Sequence, residues 1–159
     1  DEDGRWASQG QVNPALLQAL MATPYLHQAP PKSTGRELFN LAWLQRHLAE
    51  HPTDPTDVQR SLLEFTAQSI AGACIASDPD FARIAVCGGG AHNGALMQRL
   101  AELLPCELTT TDALGFPGDW IEAGAFAWFA AQTLQGLPAN RASVTGASRN
   151  AVLGGIYPP

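Results

Sequence analysis

The hydrophobic positions in the first half of the chain recur at the spacing of α-helices. Asn13 and Pro14 form a helix start, with asparagine as the N-cap and proline at the first helical position. The spacing of apolar residues predicts a second helix over residues 40–50, and the same cap-and-proline pattern predicts a third from Asp54 to about Ala76. The third helix is long for a globular protein, which is typical of a helix that crosses a sheet or forms an interface. Its predicted inner stripe is Val58, Leu62, Phe65, Ser69 and Ala73.

After residue 79 the pattern changes to short apolar runs that alternate with helices. Residues 83–87 form a run of strand length that stops at three glycines, which predicts a buried strand, and residues 106–111 predict a second one. With a helix over about 93–104 between them, they make a β-loop-α-β unit that should be parallel and right-handed. A further helix over about 120–134 is apolar almost all round, so we expect it to be buried. Residues 151–157 could form a short terminal strand.

This order of elements predicts an α/β fold with a small, partly parallel sheet and flanking helices. Residues 1–78 should be mainly helical, and residues 79–159 should hold the β-α-β part. Two or three strands are few for an α/β sheet. We therefore expect a partner, or a missing N-terminal half, to complete the sheet or cover its face.

Composition adds exclusions to this picture. The 159 residues are 45% hydrophobic and 15% charged, as in a globular domain, and their formal charge of −6 with nine basic residues argues against binding nucleic acid. The run 121–134 is too short to span a bilayer, and the acidic start Asp1-Glu2-Asp3 is unlike a signal peptide. Since the three cysteines lie in apolar settings without a Cys-x-x-Cys pair, we expect free thiols, a cytoplasmic location and no metal site.

The glycines that follow the first strand are the strongest local signal. Gly88, Gly89 and Gly90 separate the strand from a helix that begins near Asn93. Glycine lets a ligand approach the backbone, and a helix amino end favours phosphate. The run matches neither a Walker A motif nor a G-x-G-x-x-G fingerprint. The alternative interpretation is a tight turn with Asn93 as a helix cap.

Glu122 is the second candidate, because it is a lone acid among apolar residues of the predicted helix 120–134. Such an acid can face a ligand. The spacing of Asp119 and Glu122 also has the form of a capping box, and this structural role is the alternative. His92 stands apart from the other histidines by lying in the glycine loop, where it could contact a nucleotide, although a solvent-facing side chain is the expectation.

A polar loop after Pro30 and Pro31 is the third candidate. It could bind a phosphate or a sugar, or it could be a solvated connector. Its candidate binding residues are Lys32, Ser33, Thr34 and Arg36.

Five segments of the chain, in the same order, resemble the C-terminal half of anhydro-N-acetylmuramic acid kinases. They are residues 30–37 (PPKSTGRE), 88–93 (GGGAHN), 120–128 (WIEAGAFAW), 143–147 (SVTGA) and 153–158 (LGGIYP). The resemblance covers nearly the whole chain. It implies an actin-like ATPase fold with two α/β lobes and ATP in the cleft between them, of which this chain would be the C-terminal lobe.

The resemblance also implies a reaction. Family members use ATP and water to open the 1,6-anhydro ring of anhydro-N-acetylmuramic acid and phosphorylate O6, giving N-acetylmuramic acid 6-phosphate in cell-wall recycling. By this resemblance, Gly88, Gly89, Gly90 and Asn93 face the nucleotide, and Glu122 lies by the sugar. The roles of Lys32, Ser33, Thr34 and Arg36 stay open.

The family's catalytic aspartate, in an Asp-Thr-Gly-Pro-Gly-Asn motif, and its N-terminal phosphate loop are not found in these residues. We therefore expect the Mg²⁺ ligands in an absent N-terminal lobe, an inactive chain when alone, and a homodimer when complete. Two alternatives stay open: a non-catalytic nucleotide-binding or dimerisation module of the actin-like fold, and an actin-like kinase for another sugar.

Overall fold

Up to residue 134, the helices and strands of the protein follow the predicted order. A computed structural model describes residues 1–78 and 80–157, so residue 79 at the predicted boundary and Pro158 of the last segment lie outside the described residues. The elements are α1 Pro14–Met21, α2 Leu41–Glu50, α3 Pro55–Ser77, β1 Arg83–Val86, α4 Gly94–Leu103, β2 Glu107–Thr110, α5 Ile121–Leu134 and α6 Ala142–Thr145. The mixture of helices with a small parallel sheet is an α/β arrangement.

Local capping sets the starts of the first three helices. Asn13 Oδ1 accepts from the amides of Ala15 and Leu16 at the start of α1. Asn40 caps α2 in the same way, and Asp54 caps α3 ahead of the proline at its first position. Each cap satisfies amides that the helix itself leaves unpaired, so these starts are fixed by a few adjacent residues.

Helix α3 is the centre of the molecule because two of its sides are buried. Val58 and Phe65 pack with residues of α1 and α2 in one cluster, whose buried members include Leu16, Leu20 and Trp43. Ala67 and Ala71 pack with Leu100 and Leu104 in a second cluster. The predicted stripe was right at Val58 and Phe65 and wrong at Ala73, which is exposed. The single stripe missed the side of α3 that α4 covers.

An ion pair inside this second interface joins α3 to α4. Arg99 Nε lies 2.7 Å from Glu64 Oε2, and Arg99 Nη2 lies 2.8 Å from Glu64 Oε1. Glu64 is only 4% exposed, and its hydrogen bond with Arg99 holds the pKa of its carboxyl below the usual range. Gln68 and Glu102 complete the cluster. The two-point contact fixes the orientation of α4, and α4 follows the glycine loop in sequence.

The sheet formed by β1 and β2 is parallel, as predicted, with Arg83 opposite Glu107 and Val86 opposite Thr110. The prediction that the first strand is buried was wrong for one face of the sheet. Ile84 packs against the cluster between α3 and α4, whereas Ala85 is exposed on the other face. Parallel sheets normally have both faces covered. The described residues cover one face only.

The prediction that the last long helix is buried was also wrong. None of the residues of α5 is buried, and Phe126 is 71% exposed. The helix contacts the short turn before it, and Thr133 Oγ1 donates a hydrogen bond to the carbonyl of Leu153. An apolar surface on all sides suits a helix that is surrounded, but the described residues supply no layer around α5.

The predicted terminal strand is absent, since residues 151–157 pair with no strand in the described part of the chain. Within that same part, no helix has both the length and the hydropathy to cross a membrane.

Candidate functional site

The glycine loop leaves its backbone open to a ligand. It begins at Gly88, whose φ of 73° lies in the left-handed region that favours glycine, and continues as a 3₁₀ turn over Gly89–His92. A Cβ built on Gly88, Gly89 or Gly90 would meet no atom within 4 Å. A molecule could therefore approach this backbone closely from the open side.

The amino end of α4 is less free than the sequence suggested. Asn93 Oδ1 accepts from the amide of Leu96 at 3.0 Å, so Asn93 is the helix cap of the alternative interpretation. Gly4 packs against Asn93 and Ala95 so tightly that a Cβ on Gly4 would overlap both side chains. Protein groups thus occupy this helix end, and the loop is the accessible part of the motif.

Two further segments meet the glycine loop at the carboxyl ends of the parallel strands. Asp112, just after β2, accepts from the amide of Gly118 at 3.2 Å. Gly118 is buried, and a Cβ on it would lie 2.9 Å from Asp112 Oδ2 and 3.6 Å from the amide nitrogen of Gly88. The loops after β1 and β2 and the start of α5 therefore touch one another. In open α/β sheets, ligands bind at this edge of the strands.

Thr111 adds a polar atom at this junction. Its Oγ1 lies 3.4 Å from the position of a Cβ on Gly118. Among residues 1–78 and 80–157, this oxygen is the only buried side-chain nitrogen or oxygen atom that has no hydrogen-bond partner. A buried hydroxyl without a partner is costly, and Gly118 packs beside this one, so it lies behind the open surface of the junction. The backbone of the glycine loop is the part of the junction that a phosphate-bearing molecule could approach.

Asp119 does not form the predicted capping box. Its Oδ1 instead pairs with His92 Nε2 at 2.9 Å, and α5 begins after Trp120 without a side-chain cap. The hydrogen bond that Asp119 accepts from the imidazole raises the pKa of His92 above its ordinary value, and this shift favours the charged form. His92 is exposed to solvent, as expected, but the sequence did not predict its contact with Asp119, because this partner lies 27 residues further along the chain.

Glu122 lies in the first turn of α5, and its side chain is exposed. It follows Asp119 by three residues, and Asp119 lies in the 3₁₀ turn Gly118–Trp120 that precedes α5. Asp119 pairs with His92 of the glycine loop, and Glu122 lies in the helix turn that follows this contact.

The polar loop after Pro31 is tied to its own neighbourhood. Lys32 Nζ donates to the carbonyls of Tyr25 and Leu26, at 3.0 and 2.9 Å, and lies 4.9 Å from the centre of the Tyr25 ring. Thr34 Oγ1 is 3.5 Å from Glu37 Oε1, while the side chains of Ser33 and Arg36 are exposed. For Lys32, these contacts favour the connector interpretation.

The loop at Pro31 also meets another segment of the resemblance. Gly146 has a φ of 74°, and a Cβ on it would lie 2.7 Å from Cγ of Pro31. The structure therefore brings residues 30–37 to 143–147, and residues 88–93 to the start of 120–128. Within the described residues, no hydrogen bond joins the first of these two groups to the second. No set of three or more possible metal ligands clusters anywhere in the part of the chain that the structure describes.

Comparison with known proteins adds a family to this geometry. The chain is 52% identical to the anhydro-N-acetylmuramic acid kinase of Pseudomonas syringae pv. tomato and to that of Pseudomonas savastanoi pv. phaseolicola. It is 51% identical to that of Pseudomonas syringae pv. syringae. Each match covers 99% of this chain and 44% of the relative, so the chain spans less than half the length of these relatives. The family model for anhydro-N-acetylmuramic acid kinase matches residues 1–159, and the chain belongs to this family.

Proposed function

We propose that this chain is the C-terminal lobe of a cytoplasmic, ATP-dependent kinase that acts on 1,6-anhydro-N-acetylmuramic acid. The complete enzyme opens the anhydro ring with water and forms N-acetylmuramic acid 6-phosphate, an intermediate of cell-wall recycling. The observation that carries the proposal is the family match over the whole chain, taken with the meeting of the glycine loop and the start of α5. These two segments hold the residues proposed for the nucleotide and for the sugar.

The nucleotide side of the site is assigned to Gly88, Gly89 and Gly90. Their open backbone admits a phosphate chain, and the hydroxyl of Thr111 is a polar group behind it. Asn93 supports this side indirectly, by capping α4 and fixing the end of the loop. ATP, with Mg²⁺ held by the remainder of the protein, supplies the phosphoryl group.

The sugar side is assigned to Glu122. In the reaction the bond between C1 and O6 breaks, water adds its oxygen to C1, O6 receives the γ-phosphoryl group, and a base in the remainder of the protein takes the proton from water. Positive charge develops at C1 as the ring opens. A carboxylate in a cleft that excludes water would stabilise this charge. We assign this role to Glu122, an exposed acid in the first turn of α5, just after the segment that meets the glycine loop.

The open surfaces of the chain support a larger assembly. The uncovered face of the sheet and the bare helix α5 need a covering layer, and the relatives are more than twice as long as this chain. We propose that the N-terminal lobe covers part of this surface and carries the base. The homodimer and the role of Lys32, Ser33, Thr34 and Arg36 in sugar binding stay predictions.

The experiment is an assay of the longer protein with Mg-ATP and 1,6-anhydro-N-acetylmuramic acid in water enriched in oxygen-18. We expect N-acetylmuramic acid 6-phosphate with the label at C1 and unlabelled ADP. Turnover of a different sugar alone would favour the kinase of other specificity. ATP binding without any turnover would favour the non-catalytic module.

A further inference from the structure

Two contacts join the start of α5 to the sheet loops. The first is the hydrogen bond from the amide of Gly118 to Asp112, on the side of β2. The second is the pair between His92 and Asp119, on the side of β1. Because α5 has no buried residue in this chain, its start is located mainly by these contacts. One of the two reaches directly into the glycine loop.

We propose that His92 and Asp119 form a positioning pair that links the glycine loop to the first turn of α5. The proposal rests on the proposed function, and it assigns no contact with the substrate to either residue. His92 ends the 3₁₀ turn of the loop, and Asp119 precedes Glu122 by three residues. A movement of the loop toward or away from a bound nucleotide is therefore passed to the helix turn that carries Glu122.

The pair acts through geometry rather than through stability. Its two side chains are 67% and 68% exposed, and exposed ion pairs contribute little to the free energy of unfolding. A single hydrogen bond of 2.9 Å nevertheless restricts the separation of two short segments that have few other contacts. Loss of the pair should alter the site without unfolding the protein.

The link should weaken in alkaline solution. Asp119, Asp112 and Asp3 all raise the pKa of His92, and Asp119 has the largest effect. The charged pair is therefore complete below the ordinary pKa of histidine and is lost as pH rises through the raised value. In Asp119→Asn the pKa of His92 should fall, and the pH dependence of the link should move toward acid.

Hydrogen exchange on the longer protein tests the link without requiring activity. We expect the amides of residues 88–92 to exchange faster in Asp119→Asn and in His92→Ala than in the wild type. The control is Arg83→Gln, which removes a comparable exposed pair with Glu107 at the opposite ends of the same strands. Exchange of the loop in this control should match the wild type. Loop exchange in Asp119→Asn that matches the wild type would overturn the proposal, even if the enzyme proves not to be a kinase.

Kinetics then separate positioning from simple structural support. We expect the KM for ATP to rise about two- to fivefold in Asp119→Asn and in His92→Ala, the range open to an exposed pair, with no further rise in the double variant. His92→Gln, which keeps a donor but not the charge, should retain most of the affinity and lose its dependence on pH. If the KM for ATP stays at the wild-type value in Asp119→Asn, or if the two single effects add fully, the pair does not position the loop.

Discussion

Replacing Glu122 by glutamine distinguishes a role in the reaction from a role in the fold. Since α5 begins without a side-chain cap, Glu122 stabilises this helix only as an acidic residue of its first turn. Such a charge contributes about 0.3–1 kcal/mol through the helix dipole. For a protein of this size that corresponds to about 1–4 °C in Tm, and less in a longer protein.

The expected effect on turnover is much larger. Loss of one group that stabilises charge in a transition state costs about 100- to 1,000-fold in kcat, which is about 2.7–4 kcal/mol. Glutamine keeps the shape of the side chain but removes the charge that opposes the positive centre at C1. We therefore expect kcat to fall by about two to three orders of magnitude while the Tm barely changes.

The assay measures kcat with saturating Mg-ATP and anhydro sugar, and Tm by calorimetry, on one preparation of the longer protein. Glu50→Gln is the matched control, because Glu50 is an exposed acid at the end of another helix. This control should leave both quantities near the wild-type values. Wild-type turnover in Glu122→Gln would refute the assignment of Glu122 to the sugar, and a large drop in Tm would return it to a structural role.

Three further predictions concern the glycine loop, the ion pair between Glu64 and Arg99, and the proposed N-terminal lobe. Gly89→Val should weaken ATP binding in calorimetry with little loss of stability, because a Cβ at this position meets open space. Gly118→Val should instead lower the Tm, because a Cβ there crowds Asp112. Wild-type ATP affinity in a folded Gly89→Val would show that the loop does not bind ATP. Arg99→Leu should cost about 3 kcal/mol in urea unfolding at pH 7, near the low end for a broken buried pair because Arg99 is 26% exposed. Since the pKa of Glu64 is lowered from 4.5, this cost should shrink as acid protonates Glu64, and a cost that is constant down to pH 3 would contradict the argument. The 159-residue chain alone should not turn over the anhydro sugar with Mg-ATP, and robust turnover would show that no second lobe is needed.

The parts of the fold that depend on adjacent residues could be predicted from the sequence. The caps at Asn13 and Asp54 and the strand–glycine–helix order each depend on a few neighbours, and the structure confirms them. The contact of Asp119 could not be predicted, because a distant His92 takes the carboxylate that local spacing assigns to a helix cap. The ion pair between Glu64 and Arg99 could not be predicted either, because the two residues are 35 positions apart in the sequence.

The error over α5 has a different origin. The apolar residues of α5 indicate that the helix is suited to an apolar environment. They do not indicate which part of the protein provides that environment. The same holds for the open face at Ala85. In the candidate site, the glycine run and Glu122 could be identified from the sequence. Thr111 and Gly118 could not, because they join the site only through the pairing of β1 with β2, which brings the loops after the two strands together.

The bare surface of α5 has a consequence for the lifetime of the protein in a cell. Contiguous exposed aromatic and aliphatic side chains, such as Phe126, Trp128 and Leu134, are what chaperones and proteases recognise in incomplete proteins. A molecule in which α5 stays uncovered, for example after a proteolytic nick that separates it from its covering layer, should be retained by chaperones or degraded. Quality control would then remove half-enzymes before they could occupy nucleotide without catalysing a reaction.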